Sequence, residues 1–341
     1  MHVGLIGGGN ISGTHARAAR SVPGVEIAAV YGSNAEKVER LAGEHGATPY
    51  GEIEAFLAHR PMEMVIIGSP SGLHAAQGIQ AARHGLHVLV EKPIDISVER
   101  ADALTSECQR AGVKLGVIFQ DRFKPEIRRL KQLLAGEKLG KLLLVDARVK
   151  WYRPPEYYAG SRWRGTWALD GGGALMNQGV HTVDLLLWLL GDVVGLQARA
   201  ATMLHDIETE DTALAMLEFA SGAIGTLEVT TAAYPGYPRR VEITGTEGTV
   251  VLEHDRLVAI DLRAGAEEVE HEQMEDRNPS ASSPVVSDVR GHQSAIEDFI
   301  RAIKEDGTPA CDGREGRRSV ALIEAIYRAA RNPEMAVEVH S

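Results

Sequence analysis

Residues 3–13 read Val3-Gly4-Leu5-Ile6-Gly7-Gly8-Gly9-Asn10-Ile11-Ser12-Gly13: a short apolar run breaks into glycines and then into a helical pattern. The spacing is that of the dinucleotide fingerprint G-x-G-x-x-G. Its first glycine makes the turn, its second lets the backbone approach a pyrophosphate, and its third lets helix pack on strand. Gly7 and Gly9 take the first two places and Ser12, a small residue, the third. Glycine runs also serve as plain turns, so the reading depends on context. Ile27–Val30, Met64–Gly68, His87–Val90 and Leu115–Val117 are further short apolar runs. Between them, Gly13–Ser21, Ala35–Glu44, Leu73–Gly85 and Ser97–Ala111 carry apolar residues at three- and four-residue spacing. Strands alternating with helices of this length predict βαβ crossovers and a parallel sheet covered on both faces. Gly85 and Gly112 stand where helices end. Residues 1–122 are therefore expected to form a doubly wound α/β domain, with Gly7, Gly9, Asn10 and Ile11 in a turn that cradles a nucleotide.

Beyond residue 122 the pattern changes. After a helix near Pro125–Ala135, the runs Leu142–Trp151, Asp211–Phe219, Ala223–Thr231, Arg239–Thr244 and Thr249–Glu253 alternate apolar and polar residues, with turns at Ser221-Gly222 and Glu247-Gly248. Hairpin-length links predict an open antiparallel sheet, one face covered by a helix around Leu175–Leu190. The other face would serve a partner copy, with Ala213, Ala215, Leu217, Phe219, Leu227 and Val229 as its apolar residues. A homodimer or homotetramer is the expectation. Asp276–Asp288 is polar and reads as an exposed loop, and helices near Gln293–Glu305 and Arg314–Arg331 close the chain. Residues 123–341 are expected to be a second domain for substrate binding and oligomerisation.

Composition narrows the partners. In 341 residues, 36 Lys and Arg face 47 Asp and Glu, a net charge of −11. That leaves no global basic field for nucleic acid or an anionic membrane. The apolar run at Leu185–Leu190 is far shorter than the ~20 residues that span a bilayer. Met1 leads into a strand-like run with no basic n-region or cleavage site, so secretion is not expected, and two isolated cysteines, Cys108 and Cys311, suggest a reduced cytoplasmic setting. No metal is expected.

Other motifs carry possible chemistry. In a nucleotide-binding unit of this kind, an acid ending the second strand bonds the ribose 2′-hydroxyl of NAD. Here Tyr31-Gly32-Ser33-Asn34-Ala35-Glu36-Lys37 places no acid before Glu36, while Ser33 and Lys37 suit a 2′-phosphate. NADP(H) is favoured over NAD(H), with Lys37 as a plain solvated charge the bland alternative. Glu91-Lys92-Pro93 follows the strand His87–Val90, at the sheet edge where ligands of open parallel sheets bind. Lys92 is there either a solvated charge or a group facing the cofactor cleft. In Gly171-Gly172-Gly173-Ala174-Leu175-Met176-Asn177-Gln178-Gly179-Val180-His181-Thr182-Val183-Asp184, the polar residues Asn177, His181 and Asp184 lie four and three apart, on one helical face. His181 with Asp184 reads as a metal pair, a satisfied core histidine or, most sharply, a general base. Trp151 to Trp167 holds three of the four tryptophans with Arg153, Arg162 and Arg164. Trp163 and Arg164 suit sugar stacking and anion or hydroxyl bonding, with a packed loop or subunit contact as the alternative.

Taken together, Gly7–Ser12, Ser69-Pro70-Ser71-Gly72-Leu73-His74, Glu91-Lys92-Pro93, Gly171–Asp184 and Ile243–Gly248 resemble the glucose-fructose oxidoreductase/inositol dehydrogenase/rhizopine-catabolism (Gfo/Idh/MocA) family. The resemblance implies an N-terminal Rossmann domain, a C-terminal α/β domain on an open sheet, and hydride transfer between NAD(P) and a sugar or cyclitol hydroxyl. By that match Lys92 is the catalytic lysine and His181 exchanges the proton. Ser69, Pro70, His74, Glu91 and Gln120 lie along the cofactor, and Asn177 and Gln178 join the substrate site. Many members carry Asp where this chain has Asn177, which cannot ionise. Met176-Asn177-Gln178 is similar to a subgroup that includes nucleotide-sugar 3-dehydrogenases, pointing to C3. A redox-neutral enzyme that recycles its cofactor and a cofactor-sensing regulator are the alternatives.

Overall fold

The computed structural model describes residues 1–265 and 288–332, which fall into two compact units. Of the polar stretch Asp276–Asp288, all but Asp288 lies outside the described residues.

Among the described residues, the first unit comprises 1–123, 168–171 and 288–320. Its strands β1 (His2–Ile6), β2 (Glu26–Tyr31), β3 (Thr48–Tyr50), β4 (Met64–Ile67), β5 (His87–Glu91) and β6 (Leu115–Ile118) form one parallel sheet in the order β3-β2-β1-β4-β5-β6. Helices α1 (Asn10–Arg20), α2 (Ala35–His45), α3 (Ile53–Leu57), α4 (His74–Arg83) and α5 (Val98–Ala111) link the strands. Local chemistry sets their ends. Asn34 accepts the Lys37 N–H at 2.9 Å to cap α2, Ser97 caps α5, and Gly112 closes α5 in the left-handed region at φ 68°. Met64–Ile67 is buried throughout, as a central parallel strand must be. The order reverses direction between β1 and β4, which puts the switch point beside the glycine turn.

The expected boundary at 122–123 marks only the chain's first exit from this unit. Helix α9 (Arg290–Lys304) returns to it, burying Ala295, Ile296, Phe299 and Ile300 in one cluster with Ala16 and Ala19 of α1 and Ile118 of β6. An apolar stripe on a helix this amphipathic must be covered, and α1 offers the complementary face.

Among the described residues, the second unit comprises 124–167, 172–265 and 321–332. It holds helices α6 (Pro125–Ala135), α7 (Pro155–Ala159) and α8 (Val180–Leu190), and strands β7 (Leu142–Lys150), β8 (Val193–Ala201), β9 (Thr212–Phe219), β10 (Ile224–Thr230), β11 (Arg240–Gly245), β12 (Gly248–Glu253) and β13 (Arg256–Leu262). Of helix α10 (Gly313–Arg331), the part from Ala321 onward belongs to this unit. The sheet order is β13-β12-β11-β7-β10-β9-β8. It is antiparallel except for the β7–β10 pair, which runs parallel.

Two expectations are corrected here. The helix around 175–190 is not uniform: Ala174–Gly179 is a π-helical turn and α8 begins only at Val180. Asn177 and His181 therefore do not share a simple α-helical face. Secondly, Ala213, Ala215, Leu217, Phe219, Leu227 and Val229 lie on the inner face and are buried within the chain itself. The 174–190 segment covers them, Gly179 packing against Val229. The alternation was read in the right period and assigned to the wrong cover. On the opposite face, paired residues across the strands expose Leu144 and Ile224 in one row, Met216 in the next and Leu214 in a third.

Candidate functional site

The glycine turn fits a dinucleotide. Gly7 sits at φ 121°, and a Cβ there would meet Ser12 Oγ at 2.6 Å and the Gly68 carbonyl at 2.8 Å. Gly9 has nothing within 4 Å of a Cβ position, so its backbone faces open space. Helix α1, which carries Asn10 and Ile11 in its first turn, has no side-chain cap and no acidic residue there. Its first N–H groups and the positive end of its dipole are left for an anion. Ser12 Oγ and Gln120 Oε1 are buried with no partner among the described residues.

The other expected cofactor positions follow the strand ends. Ser33 and Lys37 are exposed where β2 runs into α2. Ser69 donates its hydroxyl to Gln77 at 2.6 Å. Pro70 precedes a single 3-10 turn, Ser71–Leu73, from which α4 starts. His74 is buried and spans two carbonyl oxygens, Nδ1 to Pro93 O at 2.8 Å and Nε2 to Ser69 O at 2.9 Å. This ring ties the end of β4 to the Lys92-Pro93 corner after β5.

Glu91 is engaged by the protein on both oxygens. Oε1 takes His15 Nε2 at 3.0 Å and lies 3.4 Å from His292 Nε2, and Oε2 accepts the Lys92 N–H at 2.9 Å. Burial pushes the carboxyl pKa up, but the hydrogen bonds from His15 and then His292 prevail and hold it well below the usual range. Burial pulls His15 down, against the bond to Glu91. Among the described residues this is the one cluster with three metal-ligand atoms, all within 4.8 Å of one another; His181 and Asp184 are not part of such a cluster. Neither His15 nor His292 was singled out from sequence. His292 lies far along the chain on α9, and nothing local marks it.

In the second unit, the segment Gly173–Gly179 is built around Glu210. Its Oε2 accepts the Gly173 N–H at 3.0 Å, and its Oε1 accepts the Leu175 N–H at 2.8 Å and the Tyr327 hydroxyl at 3.0 Å. A Cβ on Gly173 would come within 1.7 Å of the Glu210 carbonyl, so only glycine passes there. Burial pushes the Glu210 carboxyl up to about 7, in spite of its N–H donors. This carboxylate satisfies donors at the start of the π-turn that leads to Asn177, Gln178 and His181. Sequence reading missed Glu210 and Tyr327 too.

Around that turn, polar and aromatic groups form one chain. Gln178 Nε2 donates to Asn177 Oδ1 at 3.3 Å and to the Tyr157 hydroxyl at 3.4 Å. The Arg164 guanidinium lies over the Tyr157 ring at 4.4 Å and over Trp163 at 4.9 Å. Arg153, buried, lies over Trp151 at 5.2 Å and Tyr157 at 5.6 Å, and burial lowers its pKa. Two guanidiniums thus share one phenol ring beside Gln178, an arrangement that can receive an anion or hydroxyls on a sugar. Of the expected second-unit residues, Trp163, Arg164, Asn177 and Gln178 are brought together. His181 follows on the first turn of α8, partly exposed.

Comparison with known proteins identifies the family. Residues 1–119 match the model of an oxidoreductase family with an NAD-binding Rossmann fold, and residues 127–251 match the Gfo/Idh/MocA C-terminal domain. The solved structure of the WlbA dehydrogenase from Bordetella pertussis, in complex with NADH and UDP-GlcNAcA, is 34% identical with a TM-score of 0.87. That match covers 97% of this chain and 95% of that one. Inositol 2-dehydrogenase of Rhizobium meliloti (strain 1021) is 27% identical, covering 96% of each chain. D-xylose 1-dehydrogenase (NADP(+)) 2 of Haloferax volcanii is 30% identical, covering 89% of this chain and 90% of that protein. Matched in both halves, the chain belongs to the Gfo/Idh/MocA family and is an oxidoreductase that transfers hydride with a nicotinamide dinucleotide.

Proposed function

We propose that the enzyme oxidises a ring hydroxyl of a sugar or cyclitol, and that its substrate is a nucleotide-linked sugar acid oxidised at C3. The observation that carries this is the Arg153–Tyr157–Arg164 stack joined through Gln178 to Asn177, a cationic and aromatic cluster bonded to the segment that leads to His181. Similarity to the WlbA dehydrogenase, whose structure holds UDP-GlcNAcA, supports the same class. His181 takes the hydroxyl proton, and Lys92 donates to the same oxygen and stabilises its developing charge. Asn177 positions the histidine. Gly7, Gly9, Asn10 and Ile11 hold the dinucleotide phosphates, with Ser69, Pro70, His74 and Gln120 beside them. The bound nicotinamide supplies the hydride acceptor.

NADP(H) is the tighter cofactor in this reading, because Ser33 and Lys37 stand where an acid would select NAD. The unit of action is a homodimer or homotetramer joined by the exposed sheet face that carries Leu144, Leu214, Met216 and Ile224. Light scattering that finds a monomer at micromolar concentration overturns the assembly.

The function is tested by following nicotinamide absorbance with UDP-GlcNAcA, myo-inositol and D-xylose, each with NAD⁺ and NADP⁺. A sustained change with the sugar nucleotide alone is the expected result. Product without net absorbance change would mean a redox-neutral enzyme. Binding without either would mean a regulator.

A further inference from the structure

Lys92 stands just past the end of its sheet ladder. The register of β5 with β4 stops at Val90, and with β6 at Glu91. Pro93 has no N–H, so the Lys92 N–H is the last donor of the strand. It finds its acceptor in the side chain of the residue before it, Glu91 Oε2 at 2.9 Å. The opposite oxygen of that carboxylate faces two buried imidazoles, His15 Nε2 from α1 at 3.0 Å and His292 Nε2 from α9 at 3.4 Å. All three residues are at most 5% exposed.

We propose that His15 and His292 are positioning residues which, by holding the Glu91 carboxylate between them, hold the backbone of Lys92 at the end of β5. The proposal rests on the reading of Lys92 as a catalytic residue. A lysine side chain is long and flexible, so the geometry of its reacting nitrogen begins with a fixed Cα. A carboxylate kept ionised by two N–H donors accepts the Lys92 N–H more strongly than a neutral carboxyl would. Each histidine comes from a different helix, and the carboxylate is the point where both helices meet the strand.

The same atoms are close enough to bind a divalent cation, but the hydrogen-bonded form is favoured. A ligating histidine donates its second ring N–H to a carbonyl or carboxylate. Nδ1 of His15 and of His292 is buried without a partner among the described residues. With Nε2–H directed to Glu91, each Nδ1 carries no hydrogen that needs an acceptor.

The test is amide hydrogen exchange of the full-length protein, read from overlapping peptides that isolate Lys92. H15L and H292L should each speed Lys92 exchange about tenfold, the scale of one hydrogen bond. H292Q, which keeps a donor, should retain most of the protection. E91Q is nearly isosteric, should fold, and should speed the same exchange, so the clamp stays testable even if a leucine variant does not fold. On whichever sugar the wild type oxidises, H292L should lower kcat about tenfold while both KM values move less than about threefold. H292Q should restore it. In an E91Q background H292L should add nothing further, since both act through one carboxylate.

Unchanged Lys92 exchange in H15L, H292L and E91Q overturns the proposal. So does a full additional effect of H292L in E91Q, or a stoichiometric bound metal whose chelation reproduces the H292L phenotype. If the wild type oxidises none of the sugars, it is the catalytic reading of Lys92 that fails, and the exchange measurement still decides the clamp.

Discussion

Glu91 in the first unit and Glu210 in the second are both buried carboxylates that accept backbone N–H groups next to residues assigned to the chemistry. Their environments differ in the donors. Glu91 faces two imidazoles, and its pKa is held well below the usual range although burial alone would raise it. Glu210 faces two amides and a phenol, and burial carries it up to about 7. The bonds and charge of the two imidazoles outweigh the burial of Glu91, whereas two amides and a phenol do not outweigh that of Glu210. The same residue type in the same role is thus a fixed anion in one unit and a titrating group in the other.

The largest expected effects test what the two carboxylates serve. Lys92→Ala and His181→Ala should each lower turnover by roughly 10²–10⁴-fold, with cofactor affinity measured by nicotinamide fluorescence little changed. Near-native turnover in His181→Ala would show that another group takes the proton, and the parallel between the units would lose its second half.

Next comes the pH dependence of stability, where the two carboxylates should act with opposite sign. Glu210 has a raised pKa, so the native state binds more protons than the unfolded chain between about 4.5 and about 7. Its contribution is full below the lower value and is lost as pH rises through the upper one, on the order of 3 kcal/mol in all. Glu91 has a depressed pKa, so its contribution is present above the ordinary carboxylate range and is lost as pH falls. Denaturant midpoints across pH should show Glu210→Gln removing the decline toward neutrality and Glu91→Gln removing part of the acid-side loss. If both variants shift the same limb, the contrast is wrong.

Tyr327→Phe sharpens the contrast by deleting one donor from Glu210. It should cost about 1 kcal/mol near neutral pH, and less in acid, where the carboxyl is protonated. Equal loss at both ends of the range would mean that the hydroxyl bonds the neutral form equally well. The smallest effect belongs to an exposed charge outside both clusters. Lys37→Ala should weaken NADP(H) binding about threefold relative to NAD(H), and less in high salt. An unchanged ratio removes Lys37 from cofactor selection.

Much of this was legible in the sequence because it is local. Gly7-Gly8-Gly9 after an apolar strand, and Gly85 and Gly112 as stops, each act within a few residues, where steric and hydrogen-bond rules apply directly. The strand β3 was missed because Thr48–Tyr50 has only three residues and a proline. The strand β8 was missed because Val193–Ala201 has no consistently buried side. For β9 and β10, period two told which residues share a face, but nothing in the strands tells which face the 174–190 segment will cover. The candidate site divides the same way. Lys92, Asn177, Gln178 and His181 stand in recognisable motifs, whereas His15, His292, Glu210 and Tyr327 matter through pairings between remote segments. Such pairings have no signature in spacing, since each is made only when the fold closes.

The return of α9 to the first unit bears on how this chain can be taken apart. A nucleotide-binding half cut after residue 122 would not be a module. It would expose the face of α1 that packs on Ile296 and Phe299, and leave Glu91 with a single imidazole. A chimera that exchanges substrate-recognition halves between relatives must therefore carry residues 288–320 along with the glycine turn. Recombination in this architecture needs paired crossovers, one on each side of the inserted sheet, and a single junction would join two incomplete pieces.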